Sequence, residues 1–158
     1  MKEQWMINKE QGLPYFPNQI DENFHICVEG NWYTKDMEEL VLYNQDSEER
    51  VFVVPEGVKR LRESCFTQCK KNLEIVYLPS TLEEIGDYAM YGGNHIYAIV
   101  FKSIPKYVGK NAFTGMKYKN LYFYDKKPLF GLPKKWHKEC LGDRDFKKNC
   151  KITWDYYE

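Results

Sequence analysis

Side chains of the same kind recur along this chain at a near-constant interval, and that recurrence limits the fold more than any other feature. Residues 54–66, 78–90 and 101–113 align without gaps. Each opens on an apolar residue, usually followed by Pro, and closes on a small residue followed by a large one. Leu61, Ile85 and Val108 fall 24 and 23 residues apart, as do Cys65, Ala89 and Ala112, and Phe66, Met90 and Phe113. Several residue classes sharing one pair of intervals is the mark of a repeat architecture.

A second element sits between these segments. Leu73-Glu74-Ile75-Val76-Tyr77-Leu78 and Ile96-Tyr97-Ala98-Ile99-Val100-Phe101 both read LxxLxL. Tyr118-Lys119-Asn120-Leu121-Tyr122-Phe123 repeats the form with an aromatic first residue, and Val51-Phe52-Val53-Val54 stands at the matching place. Short runs rich in β-branched and aromatic residues predict strands. One such repeat cannot bury its own apolar residues, but stacked neighbours form a continuous core. The expected architecture is a short right-handed leucine-rich-repeat β-solenoid. It has about three to four repeats of 23–24 residues, with short return helices or turns and a cap at each end. Phe52, Val54, Val76, Leu78, Ile99, Phe101, Leu121 and Phe123 should point inward from the strands. Leu61, Phe66, Ile85, Met90, Val108 and Phe113 should point inward from the return segments.

The form apolar-Pro-x-x-apolar-x-x-Ile-Gly-x-x-Ala-Phe, with a Cys three residues after the Phe, resembles the BspA-like leucine-rich repeat. Phe66 and Cys69 carry that spacing, and Ile85-Gly86-Asp87-Tyr88-Ala89-Met90 is the nearest copy. The third repeat departs, with Lys102 at the Pro place and Met116 at the Cys place; the second has Gly93 at the Cys place. Residues 28–43 resemble the β-hairpin that precedes such repeats. Residues 121–124, a Trp136-containing short helix and a last strand around Trp154 resemble their closing segment. The resemblance implies an N-terminal arm over 1–23, a capping β-hairpin over 24–50, repeats over 51–125 and a C-terminal cap over 126–158. The arm, with Pro14 and Pro17, reads as extended. A fold of this kind says little about function by itself.

Composition excludes several function classes. The 158 residues fit one domain. No run of roughly 18 apolar residues exists to span a membrane, and the first residues lack the apolar core of a secretion signal. A native start at Met1 would therefore place the chain in the cytoplasm, and a removed leader would place it at the cell surface or outside. Five cysteines without answering His or Cys pairs fit buried hydrophobes better than disulfides or zinc. Residues 1–98 hold 9 basic and 17 acidic side chains, and residues 99–158 hold 14 and 6. This polarity would steer an acidic partner toward the C-terminal half, although solvation accounts for both ends without one. No aromatic-interleaved basic motif of nucleic-acid modules occurs.

No catalytic constellation emerges. His25, His95 and His137 fall in different parts of the predicted stack. His137 and Cys140 are three apart but lack a third, orienting group. Glu38-Glu39, Glu48-Glu49 and Glu83-Glu84 fall in polar loops. Gly142-Asp143-Arg144-Asp145 resembles a calcium loop only faintly, with its glycine and distal glutamate misplaced. The expectation is a non-enzymatic binding module without cofactor or metal, whose partner is a protein rather than nucleic acid or membrane. Self-association is compatible with it. Alternation across the strands exposes Val53, Tyr77, Val100 and Tyr122 in one uncharged row and Val51, Ile75, Ala98 and Asn120 in the next, with Tyr124 at the edge. Val53, Ile75, Tyr77, Val100, Tyr122 and Tyr124 are the candidate contact residues. The arm residues Leu13, Tyr15, Phe16 and Ile20 are the alternative occupants of that face. An inhibitor or immunity-type protein that blocks an enzyme, and a glycan-binding surface module, are the competing functions.

Overall fold

A computed structural model describes residues 2–67, 69, 72–116, 118–142 and 150–157. The faint calcium-loop residues Asp143 and Asp145 lie outside the described residues. Two sheets run along the stack. The first holds β4 (Val51–Val53), β6 (Ile75–Leu78), β8 (Ala98–Phe101), β10 (Lys119–Phe123) and β11 (Cys150–Thr153). They are all parallel, in chain order from one edge to the other. The second holds the hairpin strands β1 (His25–Val28) and β2 (Asn31–Thr34), then β3 (Glu39–Leu42) and the two-residue return strands β5 (Arg60–Leu61), β7 (Glu84–Ile85) and β9 (Tyr107–Val108). The chain is a β-solenoid of about four turns.

The repeat interval becomes register. Leu61 pairs with Ile85 and Ile85 with Val108. Phe52, Val76, Ile99 and Leu121 align across the long strands. All fourteen side chains expected inside belong to the buried core. Polar groups repeat the interval as well: Thr81 Oγ1 donates to Val58 O at 2.8 Å, Ser103 Oγ to Ser80 O at 2.8 Å, and Lys110 N to Asp87 at 2.9 Å. Each turn therefore satisfies its neighbour's backbone, as buried loops require.

The small residue of each repeat has a local cause. Ser64, Tyr88 and Asn111, each just before it, adopt left-handed backbone with φ of 57°, 55° and 53°. That twist turns Cys65, Ala89 and Ala112 inward, where all are fully buried. Their carbonyls accept from the turn before: Tyr43 N to Cys65 O, Phe66 N to Ala89 O and Met90 N to Ala112 O, at 2.8–3.1 Å.

Both ends are closed by aromatic residues. Tyr43 packs on Phe52 and Phe66 at 4.8 and 5.3 Å between ring centres. At the other end Phe101, Phe123 and Trp154 stack at 4.4 Å intervals. The segment containing Trp136 forms successive turns instead of the expected helix. It supplies the last ladder with a partner: His137 N donates to Val108 O at 2.7 Å, and Phe113 N to Cys140 O at 3.1 Å.

The arm also departs from expectation. Residues Gln4–Glu10 form a helix, α1, followed by turns at 11–12 and 17–18 with irregular chain between them. It lies on the second sheet, where a cleft between α1 and β5, β7 and β9 is lined by Trp5, Met6, Leu61 and Tyr107.

Candidate binding surface

Which face is available depends on how the arm is held. Leu61, Ile85 and Val108 are in register, so the residues after them, Arg62, Gly86 and Gly109, occupy one slot. In the later turns the slot is closed by backbone. A Cβ on Gly86 would stand 2.5 Å from Glu63 N, and one on Gly109 would stand 2.7 Å from Asp87 N. In the first turn the slot holds Arg62, only 1% exposed.

The Arg62 guanidinium is surrounded by the arm and cap. Its Nη2 pairs with Glu3 Oε2 and, at 2.9 Å, with Glu39 Oε1; Nη1 donates to Glu3 Oε1 at 2.9 Å and to Pro17 O at 3.0 Å. Trp5 lies over it, 5.1 Å from guanidinium carbon to ring centre. Buried His25 completes the group. Asp21 N donates to its Nδ1 at 3.0 Å, which leaves Nε2 to donate to Glu3 Oε1 at 2.7 Å. Burial works against the Glu3 carboxylate, but Arg62 and His25 overcome it and hold the group below its ordinary range. Burial likewise opposes the Arg62 charge, and the two carboxylates outweigh it. Farther along the arm, Asn18 donates to Val41 O and Glu63 O, while Lys9 and Tyr15 both reach Glu63 at 2.8 Å.

The arm is thus committed to the return side, and its polar anchors lie away from the outer face of the long-strand sheet. There Val51 and Val53 on β4 are 43% and 54% exposed. Ile75 and Tyr77 on β6 are half-buried beside them. The uncharged row breaks at its centre. Val100 is only 2% exposed and Ala98 only 3%, so Val100 presents no contact surface of its own. In-register strands stand about 4.8 Å apart, and Val100 is flanked in register by Tyr77 on one side and Tyr122 on the other. Two large neighbours shield the smaller residue. Tyr122 and Tyr124 are half-buried in turn, with Tyr156 of the C-terminal tail 4.6 and 6.5 Å from their rings. Beyond β10 the face gains Lys151, paired in register with Asn120. What remains open and apolar is a patch over β4 and β6: Val51, Val53, Ile75 and Tyr77.

The other sequence candidates separate. His137 Nδ1 accepts from Glu139 N at 3.0 Å, and Cys140 is buried in the cap ladder. Burial pushes Cys69 up to about 11 and Cys65 higher still, so neither thiol supplies a thiolate near neutral pH. Among the described residues no group of three or more His, Cys, Asp and Glu is placed to hold a metal ion, and no helix is long and apolar enough to cross a membrane.

Comparison with known proteins agrees with this geometry. The model of the BspA type leucine rich repeat region matches residues 37–130, in six copies. The chain belongs to this family. A leucine rich cell surface protein from Faecalibacterium prausnitzii A2-165 shares the fold at 16% identity and a TM-score of 0.54, over 82% of this chain and 42% of its own. The pneumococcal vaccine antigen PcpA is 18% identical over 84% of this chain and 48% of its own, with a TM-score of 0.44. The chain spans less than half the length of either. A search of curated proteins returns no match.

Proposed function

We propose that this chain is a non-enzymatic protein-binding module whose working surface is the outer face of the long-strand sheet, centred on β4 and β6. The supporting observation is the contiguous apolar patch of Val51, Val53, Ile75 and Tyr77, two of them more than 40% exposed, while the arm is occupied on the opposite sheet. Exposed apolar patches on soluble domains commonly mark interaction sites. Tyr77 is the anchor of this reading, since Tyr supplies a large contact area with few torsions to immobilise. Val53, Ile75, Tyr122 and Tyr124 surround it; Val100 acts from beneath as support.

The test places a photo-cross-linking residue at position 53 and compares partner recovery with Tyr77→Ala and Val53→Asp variants. A real contact surface gives a cross-linked partner that both variants lose, with affinity down at least about thirtyfold for a central anchor. Undiminished recovery by folded variants would remove the reading.

The charge polarity, net −8 over residues 1–98 and +8 over residues 99–158, favours a second reading, in which the chain blocks an acidic partner enzyme. Steered association of that kind slows steeply with added salt. An on-rate indifferent to ionic strength would count against it.

A further inference from the structure

The two most exposed large apolar side chains among the described residues are neighbours. Leu129 is 90% exposed and Phe130 85%. They occupy the centre of a turn closed by Gly131 N donating to Pro128 O at 3.0 Å, with Gly131 in left-handed backbone at φ 77°. The tip is held out from a fixed base. On one side Tyr124 N donates to Phe101 O at 3.0 Å. On the other, Leu132 packs against the core, and buried Trp136 donates from Nε1 to Pro105 O at 2.8 Å. The apolar residues flanking the tip are used by the fold, and the two at its apex are not.

Lysines flank the apex on both sides in the sequence. Lys126 and Lys127 precede it and Lys134 and Lys135 follow it, all exposed and none in an ion pair with a described residue. Residues 125–138 hold five lysines against one aspartate. A protein pocket would have to supply acidic groups on both sides of a protruding tip. A planar anionic lipid surface does so without any matched geometry, because headgroups surround whatever enters between them. Apolar insertion and headgroup attraction are each weak alone and bind stably when combined.

We propose that the turn at 128–131 docks this protein onto anionic phospholipid bilayers. Leu129 and Phe130 enter the headgroup–acyl boundary, and Lys126, Lys127, Lys134 and Lys135 meet the anionic headgroups. This departs from the sequence expectation of no membrane partner; that expectation drew on the absence of a spanning segment, which surface docking does not need. The tip uses no residue of the β4–β6 patch, so this inference and the protein-binding reading stand or fall separately.

The test is co-sedimentation of the full chain with phosphatidylcholine vesicles, with and without phosphatidylglycerol. The protein should pellet with the anionic vesicles, stay in solution with the neutral ones, and be released by salt. Each Lys→Gln change among the four should weaken partitioning about fivefold. The Leu129→Ser/Phe130→Ser variant should lose at least about tenfold while keeping the wild-type melting profile, since burying one such side chain accounts for that much. Phe130→Trp, read as its difference from the wild type with its four native tryptophans, should show blue-shifted emission on anionic vesicles, quenched by brominated acyl chains. Failure to pellet with anionic vesicles at low salt would overturn the proposal, as would wild-type binding by the tip variant or unmoved tryptophan emission. Lipid-free self-association that the tip variant abolishes would assign the tip to contacts between copies instead.

Discussion

The two outer faces of this solenoid are built from the same repeat and end in opposite states. On the return side the first turn carries Arg62 where the next two carry Gly86 and Gly109, and that change supplies the buried charged anchor of the N-terminal arm. On the long-strand side no such side chain draws in the arm, and Val51 and Val53 stay exposed with Ile75 and Tyr77 half-buried beside them. The difference teaches that a regular stack acquires individuality where one turn breaks the pattern. Gly86 and Gly109 are required because the preceding turn lies against them. Arg62 lies beside the capping strand β3, its N–H donating to Leu40 O, and its side chain is enclosed by Glu3, Glu39 and Pro17.

The largest expected effect is at that broken position. Arg62→Met leaves Glu3 and Glu39 without their cation in a buried site, and denaturant unfolding should show about 3–5 kcal/mol of lost stability. Limited proteolysis should then cut within residues 2–24 first. Next comes the closed form of the same slot. Gly86→Ala forces a methyl group to within 2.5 Å of Glu63 N, and overpacking against backbone should destabilise by about 1–3 kcal/mol or more. Were Gly86→Ala neutral, the turns would be farther apart than described.

Acid should loosen the arm. The Glu3 carboxyl is held below its ordinary range in the folded chain. Its contribution is therefore fully present above the ordinary Glu range and is lost as pH falls through the lowered folded value. Arm protection measured by hydrogen exchange should decline over that acid interval in the wild type and stay flat with pH in Glu3→Gln. The smallest effects belong to the open face and the left-handed corners. Tyr77→Ala should change stability by no more than about 1 kcal/mol, as for a half-exposed side chain, while abolishing partner capture. Ser64→Gly should raise stability by about 0.5 kcal/mol by relieving a left-handed Cβ, with the greater freedom of the unfolded glycine offsetting part of the gain.

The repeats were legible because stacking requires the same residue class at the same interval: Leu61, Ile85 and Val108 announced their column, and the alternation around Val76 and Ile99 announced the inward side. Features that occur once were less so. The α1 helix has seven residues and buries none of them fully, so it lacks the apolar periodicity that would have marked it, and it exists through tertiary contacts. The signal available for the arm's site was Arg62 itself, a charge in a glycine position. The parallel pairing of β3 with β5 was hidden because a hairpin motif fixes only its own strands. Alternation alone puts Val100 at the surface, because it ignores the size of in-register neighbours. The turns around Trp136 answer to ladder groups on β9 and the segment after it, information carried by distant residues rather than by local sequence.

Hydroxyl-radical footprinting of the wild type against Arg62→Met tests the division of the two faces most directly. Trp5 and Tyr15 should become several-fold more reactive when the guanidinium is removed, while Val53 and Tyr77 keep their wild-type reactivity because nothing of the arm ever covered them. A rise at Tyr77 matching that at Trp5 would place the arm over the long-strand sheet and contradict the account.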